Sequence, residues 1–204
     1  NFNHCVINES QYGIYAGGSA VSHNATDFQG SAQRPVVNIQ NSIVENSQYD
    51  AVYGFNAKIT ARNSLFFTSG DNLIKLGLGG EYDFSNCTMY NFGNANVSHQ
   101  SPVLLLSNVV SVSNADNTYT YYPEPLTTNF TNCVIYGNLR NEVTFSNIDN
   151  LDLSRFNNSF NYCLITTPAD TLGFFSTVNT KNIFNVDPRG KNAPANDFTP
   201  SDSM

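Results

Sequence analysis

Charged residues are scarce in this chain: Asp, Glu, Lys and Arg make up 12% of its 204 residues. Nine basic against sixteen acidic residues give a formal net charge of −7, which argues against an electrostatic nucleic-acid binder. Solubility must therefore come mainly from Asn, Ser, Thr and Tyr side chains. Such a surface forms hydrogen bonds rather than ion pairs, and it suits contact with polysaccharide or with another surface.

Long apolar runs are also missing. Runs such as VLLL at residues 103–106 fall far short of the roughly 18 residues that a membrane span needs, so we predict no membrane span. No window shows a sustained 3.6-residue apolar period between helix caps, and helix should be a minor element at best. Metal-binding spacings such as CxxC are absent, so no metal site is predicted.

What the chain does contain is a six-residue repeat of the form apolar, any, Asn, slot, any, apolar. We call its fourth position the slot; it holds Cys, Ser or Val. The clearest copy is FSNCTM at residues 84–89, and the slot positions fall at 5, 42, 64, 87, 109, 133, 163 and 186. The intervals are 37, 22, 23, 22, 24, 30 and 23, as in a solenoid whose units bury their apolar faces by stacking. The strand- and turn-forming composition disfavours a leucine-rich horseshoe. It predicts an all-β parallel β-helix of about eight coils with 22–24 residues per coil.

Each column of the repeat has a physical role. The position three before the slot should stack in the interior, about 4.8 Å from coil to coil; it holds Phe2, Ile39, Ala61, Phe84, Leu106, Phe130, Phe160 and Ile183. The position before the slot is Asn in six of eight copies. Asn tolerates a left-handed bend, and its amide can bond to the same amide one coil away. We therefore predict a corner lined by an Asn ladder.

Two further columns follow from the alignment. A second strand should place Ile14, Ala51 and Leu73 in one column. Directly after the slot stand Val6, Ile43, Leu65, Val110, Val134 and Leu164. Strict alternation would point this column outward. Either the corner breaks the alternation, which we expect, or a loop or partner chain covers the face.

All four cysteines occupy the slot: Cys5, Cys87, Cys133 and Cys163. A disulfide framework would scatter them between elements, and neighbours in register on parallel strands hold their Cβ vectors side by side. We therefore predict four free thiols that fill a column shared with Ser and Val.

The segments NHCVINESQYGIYAGG, NSIVENSQYDAVYGF and NCVIYGN resemble right-handed parallel β-helix repeats of the pectate-lyase-like superfamily, in versions common among secreted and surface proteins of Gram-negative bacteria. The resemblance covers residues 1 to about 188 and implies a secreted or outer-surface location. It implies a single-stranded β-helix, which we place over residues 1–190. The 37-residue interval predicts a loop insertion at about 17–35, and the polar composition of residues 191–204 predicts a C-terminal tail. Since Phe2 already fills the apolar column, we interpret the chain as the C-terminal part of a longer protein, whose further coils could carry a site.

Lyases of this superfamily use a Lys or Arg base and often Ca²⁺ held by carboxylates. Lys58 and Arg62 are the weak catalytic candidates here, and Glu81 and Asp83 should lie opposite them. We interpret these residues first as cross-strand ion pairs and second as a carbohydrate-binding face. The paired Asp residues and the Gly-His-Gly segment of the hydrolases are absent. The pairs Asp71–Lys75 and Arg140–Glu142 are interpreted as surface charges.

Four tyrosines form the other binding candidate: Tyr12, Tyr15, Tyr49 and Tyr53. They should lie on successive coils, where they either stack on sugar rings or pack at corners. The sequence thus favours a non-catalytic secreted or cell-surface module that binds polysaccharide or a surface glycan, or mediates surface contacts with a protein. The alternatives are a polysaccharide lyase and a structural stalk or assembly partner. No cofactor is expected, except Ca²⁺ for the lyase.

Overall fold

The computed structural model of the protein describes residues 1–17, 34–147, 155–168, 181–188, 190–192 and 197–200. Its strands begin, in chain order, with β1 Phe2–Asn3, β2 Val6–Asn8, β3 Ile14–Gly17, β4 Val36–Gln40, β5 Ile43–Ser47, β6 Val52–Arg62, β7 Leu65–Ser69, β8 Ile74–Ser85, β9 Thr88–Asn91 and β10 Leu104–Ser107. They continue with β11 Val109–Ser113, β12 Tyr119–Pro123, β13 Leu126–Thr131, β14 Val134–Gly137, β15 Val143–Ser146, β16 Phe156–Asn161, β17 Leu164–Ile165, β18 Ile183–Phe184, β19 Gly190–Asn192 and β20 Asp197–Pro200. The described residues contain no α-helix, and the all-β prediction is confirmed.

Most strands lie in two parallel sheets, between which the chain passes again and again. The seven-stranded sheet has the order β18-β17-β14-β9-β7-β5-β2. The nine-stranded sheet runs β1-β4-β6-β8-β10-β15, with β3 on β6 and with β13 and β16 continuing from β8. Strands β6 and β8 bend at Asn56 and at Gly79–Gly80, where the backbone has positive φ. The sheet therefore divides into two rows of paired strands. The first halves of β6 and β8 form one row with β3, β10 and β15, and their second halves form the other row with β4, β13 and β16.

A large hydrophobic core of described residues fills the space between the sheets. The predicted interior column is present, with 0% exposure for Ile39, Ala61, Phe84, Phe130 and Phe160. The Phe84 and Phe130 rings stack at 5.2 Å between centroids, and the Phe130 and Phe160 rings at 4.8 Å. Ring stacking of this kind adds about 0.5–1.5 kcal/mol per pair to the burial of apolar area.

The predicted corner is confirmed. The residue before the slot has positive φ, between 49° and 56°, in His4, Asn41, Asn63, Asn86, Asn132 and Tyr162. The amide ladder forms in part: Asn63 Nδ2 donates to Asn41 Oδ1 at 3.5 Å, and Asn132 Nδ2 donates to Asn86 Oδ1 at 2.7 Å. Asn is favoured here because it combines a tolerated left-handed backbone with a side chain that bonds to the next coil.

The slot column points inward, as predicted. Cys87, Cys133 and Cys163 are each 1% exposed, and all four cysteines are free thiols. The neighbouring thiols of Cys163 and Cys87, together with burial, raise the pKa of the Cys133 thiol. Cys87, Cys133 and Cys163 therefore act as small buried packing groups in a stacked column.

Two predicted copies of the repeat are placed wrongly. Phe84 pairs directly with Phe130, whereas Leu106 pairs with Leu76 and Phe145 in the other row of the sheet. Residues 109–123 leave the sheets as an antiparallel hairpin of β11 and β12, which contains Val110, and Pro123 ends β12 at the base of the hairpin. Near the C-terminus, Ile183 pairs with Leu164, so it lies in the column after the slot rather than three before it.

The predicted second strand is present as β3, the first halves of β6 and β8, β10 and β15, but its predicted column is shifted by one residue. Ile14 pairs with Val52, and Val52 pairs with Ile74, so Ala51 and Leu73 each precede the column. The predicted loop at 17–35 falls largely outside the described residues, as does part of the tail at 191–204. Within that tail, β20 pairs antiparallel with β19.

The column after the slot points outward, so the expectation that the corner breaks the alternation is wrong. Val44, Phe66 and Ile135 are 0% exposed and point inward, while the preceding residues Ile43, Leu65 and Val134 are partly exposed. These outward residues pack in a second apolar cluster with Phe67, Phe92, Tyr90 and Tyr136. The groove above them, of about 720 Å³, is also lined by Pro188, so the chain's own segment lies against part of this face.

Candidate functional site

The four predicted tyrosines form one exposed patch. Tyr15 on β3 lies directly opposite Tyr53 on β6, and their ring centroids are 5.1 Å apart. Tyr12 and Tyr49 come from the turns before these strands, and their centroids are 5.3 Å apart. Tyr12, Tyr15 and Tyr49 remain 40%, 49% and 43% exposed. The arrangement therefore presents aromatic ring surface to solvent instead of burying it at a corner. We call these four residues the tyrosine patch.

The patch adjoins a small charged cluster on the next coil. Lys75 on β8 lies opposite Tyr53, with its Nζ 5.3 Å from the Tyr53 ring centroid. The same Nζ is 3.4 Å from an Asp71 carboxylate oxygen and 3.9 Å from Asp50 Oδ2. The predicted Asp71–Lys75 pair is therefore confirmed, but it borders the patch rather than standing alone.

Asp50 is the residue that the sequence did not indicate. It is 1% exposed, and its Oδ1 has no hydrogen-bond partner in the described structure. Burial raises the pKa of Asp50 to about 7, and Lys75 opposes that shift only partly. Its neighbour in space, Tyr53, has its pKa raised to about 12, by burial first and then by Tyr15. Nothing in the sequence indicated that this carboxyl is buried. Asp50 aligns with Asn72 of the next coil, and a polar residue at both positions looks like part of an exposed turn.

The second candidate region is the polar outer face formed by the later halves of β6 and β8. Lys58 lies opposite Glu81, as predicted, and forms an ion pair with it at 3.0 Å. Glu81 also accepts a hydrogen bond from Arg34 Nη1 at 3.2 Å, so each of its carboxylate oxygens has a cationic partner. The predicted Arg62–Asp83 pair is not formed: Arg62 lies opposite Ser85, and Asp83 accepts a 2.9 Å hydrogen bond from the Ser85 hydroxyl.

This polar face contains a shallow groove of about 370 Å³. Its lining includes Lys58, Thr60, Arg62, Asp83, Thr127 and Asn129. Ion pairs between exposed groups of this kind are each worth under about 1 kcal/mol, as is usual for a solvated sheet surface. The face therefore fits the ion-pair interpretation for Lys58, and it leaves Arg62 exposed within a polar groove.

Glu142 does not form the surface pair with Arg140 that was expected. It is 0% exposed, and its Oε2 lies 3.4 Å from Nε2 of His99, whose side chain is 1% exposed. Its carboxylate also accepts hydrogen bonds from the backbone N–H of Leu139 at 2.7 Å and of Val103 at 3.0 Å. Burial lowers the pKa of His99, but Glu142 and Asn138 outweigh it and raise that pKa above 6.5. The pair anchors loops and is closed to a ligand.

Comparison with known proteins gave no matching family model, no matching curated protein and no matching solved structure. In the described part of the chain, no helix has the length and apolar character needed to cross a bilayer. The same residues include no group of three or more His, Cys, Asp or Glu side chains arranged to hold a metal ion.

Proposed function

We propose that this chain is a run of coils from a right-handed parallel β-helix of the pectate-lyase-like kind. Parallel pairing in two sheets, an inward aromatic column and a left-handed corner repeated from coil to coil support that proposal. Each coil contributes one strand to each row, so side chains at matching positions form ladders along the axis. Such a scaffold sets exposed groups at regular intervals, which suits an extended polymer.

The proposed function of this run of coils is non-catalytic binding of polysaccharide, in a secreted or cell-surface protein. The single observation that carries it is the tyrosine patch, in which the other three ring centroids lie within 6.3 Å of that of Tyr12, and Tyr12, Tyr15 and Tyr49 are each 40–49% exposed. Aromatic rings offer a flat apolar face to the C–H side of a sugar, and the Tyr hydroxyl offers a hydrogen bond. Rigid aromatic side chains also lose little conformational entropy on binding.

One observation favours a second function, that of an assembly partner. The outward column on the seven-stranded sheet ends in Val6, 64% exposed, and Ile183, 54% exposed. Apolar residues aligned along one face can form a contact surface. A dimer or filament that dissociates when Val6 is replaced by Ser would support this function, whereas a monomer at high concentration would oppose it.

The test of glycan binding compares the protein with Tyr15→Ala and Tyr49→Ala variants on a panel of soluble polysaccharides. We expect each substitution to weaken binding by about tenfold, since a truncated interface anchor costs over about 1 kcal/mol. Tyr162→Asn is the matched control, because Tyr162 is 56% exposed, lies at the distant corner before β17 and has the positive φ that Asn tolerates.

Binding that survives both substitutions in the patch would contradict the proposal. An ultraviolet assay for unsaturated products, run on the same panel with and without Ca²⁺, tests the lyase alternative. If the protein turns over a polysaccharide and the Lys58→Ala or Arg62→Ala variant loses that activity, catalysis rather than binding would be the function. Binding without turnover would support the module.

A further inference from the structure

We infer that the tyrosine patch selects uncharged glycans over glycans that carry carboxylate groups; this inference rests on the proposed function. The charges at the edge of the patch set this selectivity. A uronic acid that stacks on a tyrosine ring places its carboxylate beside the ring. Selective binding of such a sugar needs a cation that is free to pair with it.

Lys75 is the cation that the described structure places at the patch, and it is already engaged. Its Nζ contacts Asp71 at 3.4 Å, approaches Asp50 at 3.9 Å and lies over the Tyr53 ring at 5.3 Å. A glycan carboxylate would have to displace Asp71 from the ammonium group while remaining close to that displaced carboxylate. Like charges at this separation repel, so the exchange brings no net gain.

The acidic neighbours increase this discrimination. The Asp71 side chain is 38% exposed and pairs with Lys75 at the edge of the patch, whereas Asp50 is buried. With one cation and two carboxyl groups, the patch is neutral when Asp50 is protonated and negative when it is ionised. The chain as a whole carries −7, so long-range attraction does not favour an acidic polymer either.

The neighbouring cations do not change the balance. Lys58 and Arg34 both bind Glu81 on the polar face formed by the later half of β8, while the patch lies beside the first half. An uncharged sugar has no such requirement, since it needs ring surface and a few hydrogen bonds. The Tyr hydroxyls and the Asp71 carboxylate can supply those bonds.

The experiment uses a matched pair of polymers: a soluble neutral glucan, mannan or galactan, and the same polymer after oxidation of its C6 hydroxymethyl groups to carboxylates. Affinities are measured by calorimetry at low and at physiological salt. We expect the neutral polymer to bind with little dependence on salt and the oxidised polymer to bind at least about tenfold more weakly. The Asp71→Asn variant should gain salt-sensitive affinity for the oxidised polymer, because it releases Lys75.

Asp116→Asn is the control, since it changes the net charge equally on the exposed turn between β11 and β12. It should not gain affinity for the oxidised polymer. Equal or tighter binding of the oxidised polymer by the unaltered protein would overturn the inference and leave glycan binding intact. So would an Asp71→Asn variant that gains nothing. Failure to bind either polymer of every pair would overturn the proposed function itself.

Discussion

At the scale of single residues, the corner before the slot shows how one backbone angle selects a side chain. The left-handed conformation costs an ordinary residue roughly 1 kcal/mol or more, and Asn bears it with less strain. In return, the Asn amide bonds to the corner of a neighbouring coil, as Asn132 does with Asn86. Tyr162 holds the same conformation at φ 56° without such an amide, and its ring instead lies beneath Lys181 Nζ at 5.7 Å.

The two contributions of Asn132 can be separated by a pair of substitutions. Asn132→Ala should lower the free energy of unfolding by about 1–2 kcal/mol, because it loses the ladder bond and adds strain at φ 53°. Asn132→Gly should cost less, since Gly adopts this φ freely and loses only the ladder bond. Urea unfolding of both variants measures the difference. If the alanine variant proved as stable as the glycine variant, the left-handed strain would not be the reason for Asn at the corner.

The tyrosines of the patch and the buried acidic residues were predictable from the sequence to different degrees. The tyrosines could be placed together because the repeat set two coils side by side, and Tyr15 and Tyr53 do pair. Asp50 and Glu142 could not be recognised as buried, because a carboxyl in a turn looks like a surface charge until the packing around it is known. Burial of these groups depends on loops, whose paths carry no periodic signal.

At the scale of strands and hairpins, the short sequence pattern predicted the position of a coil correctly only where its Asn lies at a left-handed corner. The segment LSNV at residues 106–109 matches the pattern, but Leu106 pairs with Leu76 in the row of second strands. Asn108 does not adopt the left-handed conformation there, and its amide donates to Asn147 Oδ1 at 2.7 Å. The hairpin of β11 and β12 then adds its residues to the same coil. The coil is therefore about twice the usual length, and in the sequence it looks like two repeats.

The loop between β14 and β15 depends on a glycine that has no part in a turn. A Cβ at Gly137 would clash with Glu142 Oε1 and would lie 2.6 Å from the backbone oxygen of Asn91. Gly137→Ala should therefore displace the buried carboxylate and lower the free energy of unfolding by about 1–3 kcal/mol. Thermal or urea unfolding measures this effect.

Gly77→Ala is the matched control, because its Cβ would meet the Phe55 ring at an ordinary 3.8 Å. We expect a change within about 0.5 kcal/mol for that variant. If both substitutions cost the same, strand propensity would explain the result, and the Glu142 anchor would lose its support.

At the scale of the whole molecule, two buried titrating groups act in the same direction. Asp50 has a pKa of about 7 in the folded chain against 3.8 for the free side chain, and His99 has its pKa raised above 6.5. A raised pKa means that the folded state binds the proton more tightly than the unfolded state does. The stability from each group is therefore complete below its unfolded pKa and disappears as pH rises through its folded pKa.

The protein should accordingly lose stability from about pH 4 upward to beyond pH 7, with a slope of up to about 1.4 kcal/mol per pH unit for each excess proton. Urea unfolding across this range measures the slope. Asp50→Asn should flatten the profile between its two pKa values, and His99→Gln should flatten it above pH 6.5. Repulsion within a chain of charge −7 would give the same sign, but added salt screens surface repulsion and reaches buried groups far less. A slope below pH 6.5 that vanishes in high salt, or that persists in Asp50→Asn, would assign the effect to net charge rather than to the buried Asp50 carboxyl.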